Sequence, residues 1–330
     1  MIKPGPVGID VSSDSLVVAI DWGKGPRQCE FDNNAAGHRR LCRFLTKGGR
    51  RVRVCLESTG IYSLDVSLAL YRTAGIEVMV ANPRATRDFG RANFQRSKTD
   101  GTDAVMLLEF VKRMPFQPWQ PPPQEIFDLR AISRRITALT VAVTQESSRL
   151  HAAQRQSELT DAIAEDIQRH LDHLTASMES LTKEAVQIIR NGPQLSTKYD
   201  LLLSVKGIAV TSAVRILAEL AVLPADMSPR QWVAHAGLDP VHCESGTSVH
   251  KRSHISKTGN KHLRAALYMP ALVAVQRDPN VKAFYDKLIS SGKRPLQAYV
   301  AVMRKLLHSI HGMFASTQDF KGDKFYALAA

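Results

Sequence analysis

The chain has 330 residues and a formal net charge of +13 at pH 7, from 44 Lys and Arg against 31 Asp and Glu. This length allows two or three compact domains. The excess of basic residues favours a polyanionic partner, in the first place nucleic acid, over a small neutral substrate. No stretch approaches the ~20 apolar residues of a membrane span, and the opening MIKPGP has no apolar signal core. Because the four cysteines stand singly, without zinc-ligand spacing, we expect a reduced, cytoplasmic protein; they are Cys29, Cys42, Cys55 and Cys243.

The first 114 residues alternate between β-rich and amphipathic helical segments. Two β-rich pieces around a Ser-Ser-Asp turn predict a β-hairpin over residues 7–21, with a third strand near Glu30 and Phe31. The apolar runs RVRVCL and EVMVA predict buried strands, each preceded by a helical pattern, and Asn82-Pro83 is a helix-start signal. This alternation predicts an α/β domain with a mixed sheet.

The remainder of the chain has mainly helical patterns. A proline-dense connector, MPFQPWQPPPQ at residues 114–124, precedes a run without Gly or Pro to about residue 190, which predicts a helical hairpin or antiparallel coiled coil. Residues 201–220 predict two helices around Val-Lys-Gly-Ile-Ala, similar to a helix-hairpin-helix element that seats a DNA phosphate. An irregular glycine-rich stretch is predicted over 237–261, followed by two closing helices near 262–275 and 295–314. We therefore divide the chain into domains at 1–114, 115–192 and 193–330.

Four acidic residues stand where an α/β nuclease carries its carboxylates. Asp10 lies within the first strand, Glu57 ends a buried strand, and Asp100 and Asp103 open a helix on the same helix face. A convergent cluster of hard oxygen ligands can hold two divalent metals for in-line phosphoryl displacement. Each residue taken singly also fits a structural role, as a turn aspartate or a favourable charge at a helix start. The set predicts a two-metal site.

A basic segment precedes Asp100, with two phenylalanines interleaved. Such a segment neutralises nucleic-acid phosphates, while its rings stack on bases or pack inward; an ordinary solvated basic helix is the alternative. The predicted nucleic-acid-binding residues here are Arg84, Arg87, Arg91, Arg96 and Lys98.

These residues lie in motifs that resemble those of the DEDD-type, RuvC-like transposases of the insertion-sequence group that recombine DNA under the guidance of a bridge RNA. The motifs are GIDVS, LESTGIY, NPRATRDFGRANFQRSKTDGTDA and AGLDPVHCESGTSVHKRSHISKTGNKHLRAALY, and the resemblance covers nearly the whole chain. It implies an α/β ribonuclease-H-like amino-terminal domain, a central coiled coil and a mainly α carboxy-terminal transposase domain. It also implies that Asp10, Glu57, Asp100 and Asp103 bind Mg²⁺, two ions per site.

The resemblance further implies a serine nucleophile in the carboxy-terminal half, at Ser245, that becomes transiently linked to DNA. Other hydroxyls share its loop, namely Thr247, Ser248, Ser253 and Ser256, and a serine in a glycine-containing loop can equally serve as a turn or cap. The neighbouring basic residues suit a scissile phosphate or a guide RNA; those we predict to bind are Lys251, Arg252, Lys257, Lys261 and Arg264. Asp239 in Gly-Leu-Asp-Pro is interpreted as a structural turn residue.

We interpret the chain as an insertion-sequence transposase or recombinase that cleaves and exchanges DNA strands at specific sites through these carboxylates and a covalent phosphoserine intermediate. The expected partners are donor and target double-stranded DNA, a structured guide RNA and further copies of the chain as a dimer of dimers, in a nucleoid-associated setting without a membrane. One alternative is a RuvC-like Holliday-junction or structure-selective endonuclease that uses metal-activated water. Another is a non-catalytic nucleic-acid-binding protein.

Overall fold

A computed structural model describes residues 4–58, 60, 62–93, 99–155, 161–245 and 249–328, with the backbone alone at 242–245 and 249–252. The chain forms two compact units, Met1–Pro121 and Pro122–Ala330. Within the described residues, no helix is both long and apolar enough to cross a membrane.

The amino-terminal unit is built on a mixed five-stranded sheet. The strands are β1 (Gly5–Val11), β2 (Ser15–Ile20), β3 (Arg27–Asp32), β4 (Val52–Glu57) and β5 (Ile76–Ala81). Their order in the sheet is β3-β2-β1-β4-β5; β1, β2 and β3 pair antiparallel, and β1, β4 and β5 pair parallel. The predicted hairpin and buried strands are therefore confirmed.

Helices cover both faces of this sheet, because successive strand residues point to opposite sides. The helices are α1 (Ala35–Thr46), α2 (Leu64–Tyr71), α3 (Pro83–Ala92) and α4 (Asp100–Arg113). Ile9 and Leu56 belong to the core beneath α1 and α2, whereas Cys55 belongs to the core that α4 covers. The alternation places Gly8, Asp10 and Glu57 on the α4 side.

The second unit begins with two long antiparallel helices, α5 (Gln124–Ala153) and α6 (Asp161–Asn191). Their direction follows from two contacts: the Thr140 hydroxyl lies 3.6 Å from Met178 Sδ, and Glu146 lies 3.7 Å from His170 Nδ1. The predicted helical hairpin is confirmed.

Shorter helices pack around a shared apolar core in the rest of this unit, and two of them are joined by a two-stranded antiparallel hairpin. The elements are α7 (Pro193–Leu203), α8 (Val210–Leu220), α9 (Pro229–His235), β6 (Pro240–Ser245), β7 (Val249–Ile255), α10 (Lys261–Arg277), α11 (Pro279–Ser290), α12 (Pro295–Ser316) and α13 (Gly322–Phe325). The unit is thus mainly helical.

Two predictions for this unit were wrong. The irregular stretch predicted over 237–261 contains β6 and β7, whose polar sequence lacks the apolar alternation that signals a strand. Only two closing helices were predicted, but α11 lies between them; its one fully buried apolar residue, Val281, gives a weak helical pattern. Pro193 also starts α7 earlier than predicted, since proline is favoured in the first helical turn.

Candidate functional site

A glycine in β1 allows α4 to lie directly against the sheet. A Cβ atom on Gly8 would overlap the backbone of Ala104 and Leu108 in α4. Gly8 precedes Asp10 by two residues and so lies on the same face of the strand. The close approach therefore brings the first turn of α4 toward Asp10.

The strand register places Asp10 beside Glu57. β1 and β4 run parallel, and Ile9 pairs with Leu56, so the two carboxylates occupy the next position on each strand. Both side chains are partly buried. Adjacent strands in a sheet lie about 4.8 Å apart, which makes these residues neighbours at one sheet edge.

The second pair of carboxylates lies in the first turn of α4. Thr99 caps this helix in a capping box: its hydroxyl accepts from the Thr102 N–H at 3.3 Å, and Thr102 Oγ1 accepts from the Thr99 N–H at 2.9 Å. The cap starts the helix at Asp100, so that Asp100 and Asp103 are both first-turn residues. Asp103 is partly buried, and Asp100 is exposed.

The electrostatic environment of Asp10 includes the other three predicted carboxylates. The pKa of Asp10 is raised from its usual 3.8 to about 6, first by burial and then by the negative charges of Asp103, Asp100 and Glu57. As they stand, no three His, Cys, Asp or Glu side chains among the described residues are arranged to hold a metal ion. The carboxylates thus interact through space, and a dication is the species that would neutralise their shared negative charge.

Thr86 is a residue of this site that the sequence analysis did not single out. It lies on α3, is fully buried, and donates a hydrogen bond from Oγ1 to Glu57 Oε1 at 2.5 Å. Helix α3 begins after Asn82, whose side chain accepts from the Arg84 N–H. Nothing in the sequence marks Thr86, because its burial and its bond to Glu57 appear only in the tertiary structure. The bond holds one carboxylate oxygen of Glu57 and leaves the other for a ligand.

The predicted basic residues on α3 are exposed. Arg84 and Arg91 both lie near Asp88, at 3.6 and 4.0 Å, and Arg87 is also exposed. Such surface pairs contribute little to stability, so these arginines can exchange Asp88 for a phosphate at small cost. Arg96 and Lys98 lie outside the described residues.

Ser245 is the last residue of β6, and its backbone pairs with Val249 of β7. The side chains of Ser245, Lys251 and Arg252 lie outside the described part of the structure. Thr247 and Ser248 lie outside the described residues. The structure therefore places Glu57, Asp100 and Asp103 within electrostatic range of Asp10, and the role of Ser245 stays a prediction.

The base of this hairpin is tightly connected. Ser256 donates a hydrogen bond to the Asp239 carboxylate at 2.5 Å, and its N–H donates to the Asp239 carbonyl at 2.9 Å, which gives Asp239 the structural role interpreted from the sequence. Arg264 donates to the Ala236 carbonyl at 2.7 Å. Lys257, which adopts a positive φ of 51°, and Lys261 at the start of α10 are both exposed. Nucleic-acid binding by these basic residues stays a prediction.

Comparison with known proteins matches both units. The profile of the Transposase IS116/IS110/IS902 family matches residues 199–286, and a transposase profile of the IS110 DEDD type matches residues 7–157. The pilin gene-inverting protein of Moraxella bovis is 26% identical over 319 residues, covering 95% of this chain and 97% of that protein. Its Moraxella lacunata counterpart shows the same identity and coverage.

A shorter match links the chain to insertion elements. The uncharacterized 43.6 kDa protein of insertion element IS110 from Streptomyces coelicolor is 28% identical over 112 residues, which is 34% of this chain and 27% of that protein. The two family profiles together span the carboxylate-bearing unit and the hairpin of the second unit. The chain therefore belongs to the IS110 family of transposases and is a DNA recombinase.

Proposed function

We propose that this recombinase cleaves and rejoins DNA at specific sites with a divalent-metal site formed by Asp10, Glu57, Asp100 and Asp103, and with Ser245 as nucleophile. The observation that carries the proposal is that three further carboxylates, Glu57, Asp100 and Asp103, act electrostatically on Asp10, whose pKa is raised to about 6. Pilin gene inversion, named for two relatives similar over almost their whole length, supports site-specific recombination as the outcome.

The donor set of the amino-terminal unit fits Mg²⁺. All four groups are carboxylates, the hard oxygen ligands that Mg²⁺ prefers, and no softer ligand takes part. When bound, two such ions would stabilise charge on the attacking and leaving oxygens of a phosphodiester. Thr86 orients Glu57 for this role. In the metal-free protein the pKa of Asp10 is about 6, so this carboxyl is half ionised at that pH and gains its full charge only well above it.

The serine step is a transesterification. Ser245 Oγ forms a bond to the phosphorus, the bond from phosphorus to one deoxyribose oxygen breaks, and the serine proton ends on that leaving oxygen. The phosphoserine ester conserves the energy of the broken phosphodiester, so the reverse attack by a different DNA hydroxyl rejoins the strand. No nucleotide hydrolysis is needed.

The finer features of the proposal rest on the resemblance of the motifs. We assign the amino-terminal sheet to the RuvC-like, ribonuclease-H-like class, with which its order β3-β2-β1-β4-β5 agrees. We also assign α5 and α6 to a coiled coil between domains 1–114 and 193–330, and expect a structured guide RNA, two DNA duplexes and a dimer of dimers. A nucleoid-associated cytoplasmic location follows from such substrates.

Trapping the protein–DNA adduct tests the proposal. The full chain would be incubated with Mg²⁺, a plasmid carrying the DNA that flanks its own reading frame, and RNA transcribed from those flanks. We expect a covalent adduct on a denaturing gel, with peptide mapping at Ser245. Ser245→Ala should abolish the adduct, whereas Ser253→Ala should retain it as the matched control.

The main alternative is an endonuclease that activates water with the same carboxylates. It predicts nicked DNA with no protein attached and full activity of Ser245→Ala. A third class, a non-catalytic nucleic-acid-binding protein, predicts that Glu57→Gln and Asp100→Asn leave function intact. A persistent adduct in Ser245→Ala would show that the nucleophile is a different residue.

A further inference from the structure

A buried carboxylate connects the base of the β6–β7 hairpin to α5. Glu219 of α8 is 1% exposed, and the residues closest to it along that helix are apolar, among them Ile216, Leu217 and Leu220. A charge in such surroundings carries a large desolvation cost unless it is paired and hydrogen-bonded.

Three side chains from two directions satisfy this carboxylate. From α5, Arg130 Nε donates to Oε2 at 3.2 Å, and Arg134 donates from Nε to Oε1 at 2.9 Å and from Nη2 to Oε2 at 3.3 Å. From the hairpin side, Asn260 Nδ2 donates to Oε2 at 2.7 Å. Burial alone would raise the pKa of Glu219, but these bonds and the two arginine charges lower it, so Glu219 is ionised at neutral pH.

Asn260 is also fixed to the hairpin. Its N–H donates to the His235 carbonyl at 2.6 Å, so the residue after the hairpin is tied to the end of α9 before it. Its side-chain oxygen caps α10 by accepting from the N–H groups of His262 and Leu263. Gly237 and Gly259, both with positive φ, bring the two chain segments closer than a Cβ would permit. The position of the hairpin base is therefore fixed relative to Asn260.

Replacing a buried ion pair of this kind by apolar residues is often neutral or stabilising, so net stability alone does not account for it. We propose that Glu219 is a positioning residue that sets the hairpin carrying Ser245 against α5 through Asn260. The inference rests on the proposed function. It adds that the rate of serine attack depends on a contact far along the chain from the serine.

Cutting this link without removing the helix cap tests the inference. Asn260→Ser keeps a good cap for α10, because serine and asparagine cap comparably, but its shorter side chain loses the reach to Glu219. Glu219→Gln is a second variant that removes the charge while keeping the shape. The control is Asp200→Asn, which breaks the exposed Arg190–Asp200 pair at 2.7 Å in the same unit.

The readout separates positioning from folding. Under single-turnover conditions with the plasmid and RNA described above, Asn260→Ser should slow adduct formation at saturating DNA by about tenfold to a hundredfold. The final amount of adduct and the half-saturating DNA concentration should stay unchanged, and Asp200→Asn should stay within about twofold of wild type.

Several results would overturn the inference. A wild-type rate for Asn260→Ser would do so, and so would a loss confined to the final amount of adduct, which reports misfolded protein. If wild type itself forms no adduct, the proposed function fails together with the inference. If wild type forms the adduct and Asn260→Ser matches it, the inference alone fails.

Discussion

Replacing Asp10 by asparagine should stabilise the metal-free protein while abolishing strand cleavage. In the absence of a dication the Asp10 carboxylate is held among three other carboxylates and partly buried, so its ionised form is unfavourable in the folded state. The difference between its pKa of about 6 and the usual 3.8 corresponds to about 3 kcal/mol, at about 1.36 kcal/mol per pH unit. Screening by water at a partly exposed group reduces this to about 1–2 kcal/mol.

The sign depends on pH. Because the pKa of Asp10 is raised on folding, its contribution to stability is fully present below about pH 3.8 and is lost as the pH rises through about 6. Asparagine carries no such dependence. The free energy of unfolding of Asp10→Asn should therefore exceed that of wild type by about 1–2 kcal/mol at pH 8, and by about half as much at pH 5.

Urea unfolding of the full chain in EDTA, followed by circular dichroism at both pH values, measures this difference. Asp14→Asn, in the exposed turn between β1 and β2, is the control and should change stability by less than about 0.5 kcal/mol. Adding Mg²⁺ should reverse the order, because wild type binds the ion more tightly than the variant. A variant that is less stable than wild type at pH 8 in EDTA, or equally stabilised at both pH values, would refute the carboxylate cluster.

Two further predictions concern the residues that shape the site. Gly8→Ala should lower the free energy of unfolding by about 3 kcal/mol, because the added Cβ would overlap the α4 backbone. Gly312→Ala, in a helix with open space around it, should raise the free energy of unfolding by about 0.5–1 kcal/mol. Equal effects of the two variants in urea unfolding would contradict the close approach of α4 to Gly8. In a Mg²⁺ titration of DNA cleavage, Thr86→Val should raise the half-activating Mg²⁺ concentration about tenfold, because it loses the bond to Glu57. Thr86→Ser keeps the hydroxyl and should retain wild-type activation. An unchanged titration for Thr86→Val would show that the bond does not orient Glu57.

Local patterns along the chain were sufficient to predict much of the amino-terminal unit. Alternating and continuous apolar runs indicated β1, β2, β4 and β5, because side-chain periodicity directly reflects which face is buried. The same patterns placed Asp10 and Glu57 at strand positions and Asp100 and Asp103 at a helix start. The long segment without glycine or proline indicated the α5–α6 hairpin for the same reason.

Features that depend on contacts between distant segments were decided by the tertiary structure alone. The β6–β7 hairpin is held by backbone pairing of a polar sequence, so no apolar pattern indicates it. Thr86 and Glu57 are joined by a hydrogen bond although they lie 29 residues apart in the sequence. Arg130 and Glu219 are joined in the same way and lie 89 residues apart. Hydrogen bonds between segments this far apart leave no periodic trace in the sequence, since each needs only one polar residue at one position. Residue types and local periodicity determined the four carboxylates and most of the elements; the close approach at Gly8 determined that α4 brings Asp100 and Asp103 toward Asp10.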